Sequence, residues 1–388
     1  MPTTVASEHP ASTHAPGAVA SHISESDGSH TADLKDVLVA HQNASTKRAL
    51  WQLVNTFLPY FLLWFAMYCV LEISLWLTVP LAALSGVLLV RIFIIFHDCT
   101  HGSYFRSRRA NDIVGFIAGA LTFSPYQHWR WEHAIHHGSA GNLDRRGTGD
   151  VWTMTVQEYL SASRQRRLQY RLTRNPLILF VLAPLFVFVI KQRFASANAQ
   201  RRQRHSVWWL NVTLLISTTL LSSIFGLASY LLIQSIAMTV AGAAGLWLFY
   251  VQHQFQGVYW ERNDKWDFTA AALRGSSYYK LPKVLQWISG NIGFHHIHHL
   301  SPRIPNYNLQ KCHESDPRFA AVTSLSLLSS LQSLKFRFWD EQARQLVGYA
   351  HIRKLEASRR ANNTSSSAHP PSGIQSAQRP ATGDRTLS

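Results

Sequence analysis

Four long apolar segments constrain this chain more than any other feature of its sequence. They occur as two pairs, residues 51–70 with 73–96 and residues 207–225 with 229–251. Each is long enough to cross a hydrocarbon layer of about 30 Å. Charged residues make up 15% of the chain, whereas soluble domains average about 25%. The pattern predicts an all-α polytopic membrane protein and disfavours a soluble helical protein with these segments in its core.

The distribution of basic residues predicts the orientation of the spans. Lysines and arginines concentrate in residues 97–174 and 191–205, which the positive-inside rule assigns to the cytoplasm. The connections within the two pairs are short and carry neither residue type. We therefore expect four spans in two hairpins, a cytoplasmic helical cap, and both termini in the cytoplasm. The apolar stretches 113–123 and 176–190 are too short for a full span and are interpreted as interfacial or re-entrant helices.

The two ends of the chain differ in composition from the middle. Residues 1–47 and 356–388 are rich in small polar residues, so we expect disordered tails that flank one membrane-embedded domain at 48–355. The net charge of +16 raises the possibility of a nucleic-acid partner, but the basic residues follow membrane-flanking loops and form no recognition module. Three distant cysteines exclude a disulfide framework.

Histidine is over-represented, with 20 residues. Three clusters have helical i, i+3 or i+4 spacing, which places their imidazoles on one side of a helix, and one more histidine follows the last span. All lie at predicted cytoplasmic helix ends or in cytoplasmic segments. Imidazole binds iron, zinc and copper, and nine histidines exceed the capacity of one ion, so two metals are the economical interpretation. The nine are His97, His101, His133, His136, His137, His253, His295, His298 and His299.

Two further histidines and one other class of protein do not fit this interpretation. His128 and His296 fall outside the spacing and are expected to be structural or to support the ligands. A membrane metal transporter would carry its histidines within the spans near the midplane. The clusters lie instead at the helix ends, which disfavours transport.

The histidine clusters and their flanks resemble the three histidine boxes of membrane fatty acid desaturases, in particular the bacterial acyl-lipid group. The similar segments span roughly residues 50–345 and include HDCTHGSYF, HAIHH, GNLDRRGTGDVWTMTVQEYL, GSSYYKLPKVLQW and NIGFHHIHHLSPRIPNYNL. The resemblance implies an O2-dependent oxidoreductase with two iron ions on the nine histidines. It would introduce a cis double bond, of Δ12 (omega-6) or Δ5 type, into acyl chains of membrane lipids. Histidine-box hydroxylases and ketolases are the nearest alternative.

Two carboxylates and one amide are candidates for supporting the ligands. Asp98 and Asp150 are expected to orient imidazoles by hydrogen bonding. Some relatives hold an iron-bound water with an asparagine one turn before the lone histidine; here Phe249 occupies that position, and Asn291 is a candidate replacement.

The residues also suggest how a lipid substrate and an electron donor would bind. The apolar spans would enclose the acyl chain, and Arg130, Lys280 and Lys283 are candidates for binding a phosphate headgroup. No dinucleotide-binding Gly-x-Gly-x-x-Gly or haem-binding His-Pro-Gly-Gly segment is present. We therefore expect an external, ferredoxin-like acidic donor on the basic cytoplasmic face of a bacterial inner membrane.

Overall fold

The computed structural model describes residues 28–367, and helices dominate them. The strands are only two or three residues long, a small departure from the expected all-α class. The helices are α1 (Gly28–Ala40), α2 (Thr46–Val70), α3 (Leu75–His101), α4 (Arg108–Leu121), α5 (Tyr126–Ser139), α6 (Val156–Ser161), α7 (Arg164–Thr173), α8 (Ala183–Leu185), α9 (Arg201–Phe225), α10 (Leu227–His253), α11 (Phe268–Arg274), α12 (Lys283–Ile288), α13 (His295–Leu300), α14 (Asn306–Glu314), α15 (Leu327–Ser330) and α16 (Tyr349–Ser367).

Five short strands tie the segments outside the long helices together. They are β1 (Met154–Thr155), β2 (Tyr278–Tyr279), β3 (Ser324–Leu325), β4 (Phe338–Asp340) and β5 (Gln345–Val347). In one sheet β4 pairs in parallel with β1 and antiparallel with β5, and in the other β2 pairs in parallel with β3. The first sheet thus connects residues 338–347 to the segment that follows the second histidine cluster.

Helices α2, α3, α9 and α10 are long and apolar enough to cross a membrane, with mean hydropathy values from 1.5 to 2.4. The Ser45 hydroxyl caps the start of α2, and Gly102, with a φ of 70°, ends α3 in the left-handed conformation that glycine adopts without strain. Residues 71–74 connect α2 to α3, and Gly226 alone separates α9 from α10.

Helix α3 lies at the centre of the bundle, packed between α2 and α10. Gly86 permits its close approach to α10, because a Cβ at that position would lie 2.5 Å from the carbonyl oxygen of Ala237. In α9, by contrast, only 11% of the most apolar window is buried within the described chain. Such exposed apolar surface fits a lipid environment and does not fit a soluble protein with these helices in its core.

The segment after α7 is a distorted helix, as the short apolar stretch at 176–190 suggested. Ile178–Leu182 and Phe186–Ile190 adopt π-helical turns on either side of α8. Arg164–Thr173 and Ile178–Arg193 meet at an angle of 65°, the geometry of a broken span or a re-entrant loop. The described chain thus has four full-length candidate spans, or five if this bent pair is counted as one.

Helices extend into parts of both predicted tails. Helix α1 lies inside the predicted tail 1–47, and its Leu34, Val37 and Leu38 pack against the helix of the third histidine cluster and its neighbours. These three residues have the i, i+3, i+4 spacing of an apolar helix face. At the other end, α16 continues past residue 356. Residues 1–27 and 368–388 lie outside the described residues.

Candidate metal centre

Five histidines form the first of two groups. Each of its members offers one ring nitrogen, and these nitrogens all lie within 4.8 Å of one another. The members are His97, His101, His133, His137 and His298. They come from three helices, α3, α5 and α13. The Nε2 atom of His137 is 3.1 Å from that of His133 and 3.0 Å from that of His298. The indole of Trp129 stacks on His133, with ring centroids 4.2 Å apart, and fixes its ring plane.

The second group contains the remaining four predicted ligands. Nitrogens of His136, His253 and His299 lie within 4.8 Å of one another. The Nε2 atom of His295 joins them, 3.0 Å from that of His253 and 3.1 Å from that of His299. The two groups adjoin, since the rings of His137 and His299 stack with centroids 4.4 Å apart.

Hydrogen bonds at Nδ1 fix the tautomer of three of these imidazoles. His253 donates from Nδ1 to the carbonyl oxygen of Gly275 over 3.0 Å. Nδ1 of His136 and of His97 donate to the carboxylates of Asp150 and Asp98 over 2.8 and 3.2 Å. A carbonyl or a carboxylate only accepts, so Nδ1 carries the proton. In the neutral rings Nε2 then offers its lone pair, the form that binds a metal.

Burial favours the neutral, metal-binding form of these rings. Burial lowers the pKa of His133, His137 and His298 well below the usual value, and neighbouring imidazoles lower it further. The same two causes lower the pKa of His295 and His299. A ring with such a pKa stays neutral at physiological pH, because desolvation penalises the charged form.

The donor set fits a metal. The buried Nε2 atoms of His101 in the first group and of His136 in the second have no hydrogen-bond partner in the described chain. Leaving a buried polar atom unpaired costs about 1–3 kcal/mol. In four pairs of these histidines the facing Nε2 atoms lie only 3.0–3.1 Å apart. A cation in each group would bind the lone pairs that otherwise face each other.

A glycine brings Asp150 to the histidines. Gly149 has a φ of 75°, and a Cβ at that position would lie 2.9 Å from Cβ of His136. Glycine therefore lets this loop approach α5 closely enough for the carboxylate to reach His136. The sequence suggested that Asp150 orients an imidazole, but it did not indicate that a glycine is required at position 149.

Asp98 belongs to a buried hydrogen-bond chain that sequence reasoning did not identify. Its Oδ2 accepts from the backbone N–H of Asn306 over 2.6 Å, while its other oxygen faces His97. Two hydrogen bonds join the side chains of Asn306 and Gln52, the latter on α2. The first metal group is thereby attached to the start of α2. Asn306 lies in a segment that carries the family resemblance, but its spacing gave no indication of this contact.

The hydrogen bonds of the Asn291 side chain in the described chain are to residues other than histidine. Its amide accepts from Gln286 over 2.8 Å and donates to the carbonyl oxygen of Asn306 over 3.0 Å. Asn306 and Asp98 connect it to His97. Phe249 lies where some relatives have asparagine, and its ring centroid is 5.2 Å from those of both His136 and His253.

The two histidines excluded by their spacing make other contacts. His128 accepts from the backbone N–H of Ser196 over 3.0 Å, which connects α5 to the loop before α9. His296 pairs with His313 over 3.0 Å, and burial lowers the pKa of His296 to about 3. Neither belongs to the two histidine groups that could hold a metal.

An apolar cavity of about 470 Å³ reaches the histidines from within the helix bundle. It lies between α3, α10 and the distorted segment 178–193, with walls that include Leu89, Phe93 and Gly245. His97, His133 and His295 form part of its lining. An extended hydrocarbon chain in this cavity would therefore contact the metal-binding groups.

The three predicted headgroup residues do not share one pocket. Lys283 lines a second cavity, of about 360 Å³, formed by α2, α3 and α12. Arg130 and Lys280 line neither of these two cavities in the described chain.

The helices are apolar and long enough to span a membrane, and a buried histidine cluster able to bind metal lies at the end of an apolar cavity. This combination is typical of a class of membrane-embedded enzymes. Comparison with known proteins identifies the member of that class. The family model described as "Fatty acid desaturase" matches residues 74–326. The chain belongs to the fatty acid desaturase family, whose members are oxygen-dependent oxidoreductases.

Individual relatives support the same assignment. The chain is 47% identical to a "Fatty acid desaturase" of Bacillus subtilis over 321 residues, covering 83% of this chain and 91% of the relative. It is 28% identical to an "sn-1 oleoyl-lipid 12-desaturase" of Picosynechococcus, covering 64% of this chain and 72% of the relative. An "Omega-6 fatty acid desaturase, chloroplastic" of Arabidopsis thaliana is 26% identical, with 62% of this chain and 54% of the relative covered.

Proposed function

We propose that this protein is an O2-dependent desaturase that uses two iron ions to introduce a cis double bond into an acyl chain of a membrane phospholipid. The observation that carries the proposal is the apolar cavity that reaches His97, His133 and His295. A hydrocarbon chain in this cavity would lie beside both groups of imidazoles. Family membership supplies the reaction type.

The nine histidines would hold the irons, five in the first group and four in the second. Bound iron supplies the strong oxidant that breaking an unactivated C–H bond with O2 requires and that no side chain provides. The chain's own residues prepare the site. Asp98, Asp150 and the Gly275 carbonyl hold three imidazoles in the ligating tautomer. The walls of the cavity exclude water and align the chain beside the histidines.

The position of the new double bond is proposed as Δ12 (omega-6) or Δ5. The printed names of the Picosynechococcus and Arabidopsis relatives refer to the 12 and omega-6 positions. In this mechanism the depth to which the cavity accepts the chain decides which carbons lie beside the metal groups.

The proposed membrane is the bacterial inner membrane, with the histidines and both termini on the cytoplasmic side. Basic residues such as Arg193, Arg201 and Arg202 flank the same ends of the long helices as the histidines, whereas residues 71–74 and Gly226 carry no positive charge. A net charge of +16 suits an acidic, ferredoxin-like electron donor.

Expression in a bacterium that lacks polyunsaturated lipids tests the proposal. We expect a new fatty acid two hydrogens lighter than its precursor, and mass spectrometry of a derivative locates the bond. His136→Ala should abolish the product, whereas His205→Ala, at an exposed histidine on α9, should retain it. A product heavier by one oxygen would support a hydroxylase instead. An unchanged profile from iron-loaded protein supplied with a donor would contradict the proposal.

A further inference from the structure

A second cavity, on another side of α3 from the acyl cavity, is lined by positively charged side chains. Its volume is about 360 Å³, and Arg48, Arg91 and Lys283 line it together with two tryptophans. No carboxylate is among its lining residues, and none of the ion pairs in the described chain includes any of these three cations. The two cavities share no lining residue.

Arg91 is the least expected member of this cavity. It lies five residues before the end of the otherwise apolar segment 73–96, and only 4% of its surface is exposed. Its Nε donates to the Thr56 hydroxyl over 2.9 Å, its Nη1 donates to the carbonyl oxygen of Trp287, and its guanidinium carbon lies 4.0 Å from the centroid of the Trp287 indole. These contacts hold the cation in place without neutralising it. A buried charge within a membrane helix is costly and usually serves a binding function.

The rim of the cavity carries exposed apolar side chains beside its two exposed cations, Arg48 and Lys283. Trp51 on α2 is 67% exposed, and Val284 on α12 is 69% exposed. Helix α2 is itself a candidate membrane span, so hydrocarbon tails can lie along it while a headgroup enters the cavity. Tryptophan at such a boundary is typical of the membrane interface. A soluble anion would gain nothing from this rim, which is why we favour a lipid.

We propose that this cavity binds the phosphate of an anionic phospholipid, as a site separate from the acyl cavity. Arg48 and Lys283 contact the headgroup from the exposed side, and Arg91 provides the buried charge. Cations that bind phosphate near a membrane surface contribute mainly through charge and hydrogen bonds to the oxygens. The inference rests on this cavity alone and does not depend on the proposed reaction.

The site has a structural connection to the first metal group. Gln52 and Asn291 line the cavity, and both hydrogen-bond to Asn306. The backbone N–H of Asn306 in turn donates to Asp98, which contacts His97. A bound headgroup would lie beside two of the residues that hold Asn306, and through it this aspartate, in position.

Lipid binding to the full-length protein in detergent tests the inference. Dioleoylphosphatidylglycerol, dioleoylglycerol and inorganic phosphate are titrated separately, with the thermal melting temperature and native mass spectra as readouts. We expect the phospholipid to bind far more tightly than the other two. Each cation near the surface contributes about 1 kcal/mol, so Arg48→Gln/Lys283→Gln should weaken phospholipid binding about 30-fold, and each single variant about 5-fold.

A matched pair of substitutions separates a site from general surface charge. Arg303→Gln/Lys311→Gln also removes one arginine and one lysine, both exposed and outside the cavity, and should leave binding nearly unchanged. Arg48 and Lys283 are themselves exposed, so the variants should fold, and the melting curve without lipid checks this. Equal weakening by both pairs, equal binding of dioleoylglycerol, or equal binding of inorganic phosphate would each overturn the proposal.

Discussion

The hydrogen bond between Asp150 and His136 offers the sharpest test of how the site is held. The carboxylate lies 2.8 Å from Nδ1, and its side chain is 16% exposed. In Asp150→Asn the amide oxygen can still accept from the same N–H, so the tautomer is kept while the negative charge is lost. In Asp150→Leu both the acceptor and the charge are lost. The two variants therefore separate orientation from charge.

The expected magnitude follows from the type of bond. A hydrogen bond to a charged group contributes about 1.5–3 kcal/mol, and each 1.4 kcal/mol corresponds to a factor of ten in affinity. We expect Asp150→Leu to weaken iron binding about 100-fold, within the range known for residues that support metal-binding histidines. Asp150→Asn should weaken it about 10-fold, because the neutral bond is roughly half as strong.

Competition with a calibrated chelator measures the affinity, and fatty acid analysis of the host cells measures activity in parallel. Asp264→Asn is the matched control, because that carboxylate is exposed and makes no contact with a histidine in the described chain. The reasoning would be refuted if Asp150→Leu bound iron as tightly as the wild type, or if the two substitutions at Asp150 had identical effects.

Three further predictions concern the cavity, the donor and protonation. A Cβ at Gly245 meets no atom within 4 Å, so Gly245→Leu should shorten the acyl cavity and shift desaturation to shorter chains; an unchanged chain-length profile would count against this cavity as the acyl site. Activity with a purified acidic ferredoxin should fall as ionic strength rises from low salt, because screening weakens the attraction between donor and basic surface; salt-independent rates would contradict it. Burial lowers the pKa of His128, so the unfolded state binds a proton at this histidine more tightly than the folded state does. The free energy of unfolding should therefore decrease as the pH drops below about 6.5, by at most about 1.4 kcal/mol per pH unit. His128→Gln should remove that part of the pH dependence in melting curves, and identical pH profiles would exclude the effect.

The spans and the histidine sets were predictable from sequence because both signals are local. Spans follow from uninterrupted apolar length, and the clusters follow from helical spacing. The structure adds how the clusters divide. Members at i and i+4, such as His133 and His137, join the same group, whereas the i+3 member, His136, joins the other. Successive helix positions differ by about 100°, so i+3 and i+4 fall on opposite sides of the starting residue.

Contacts between distant parts of the chain were not predictable. The hydrogen bond from Asn306 to Asp98 joins residues 208 positions apart, and no spacing rule addresses such a distance. Helix α1 was not predicted because its large apolar residues are few within a polar segment. Three of them, Leu34, Val37 and Leu38, pack in one cluster with residues of α13 and α14. Tertiary packing there outweighs local composition.

The metal content of the purified, active protein tests the central claim most directly. Two groups of histidines predict two iron ions per chain, with desaturation proportional to their occupancy. Removing one ligand from each group in turn, by His298→Ala or His253→Ala, should lower the iron content and abolish the product in both cases. Full activity in protein that binds a single ion, or in protein free of iron, would contradict the account.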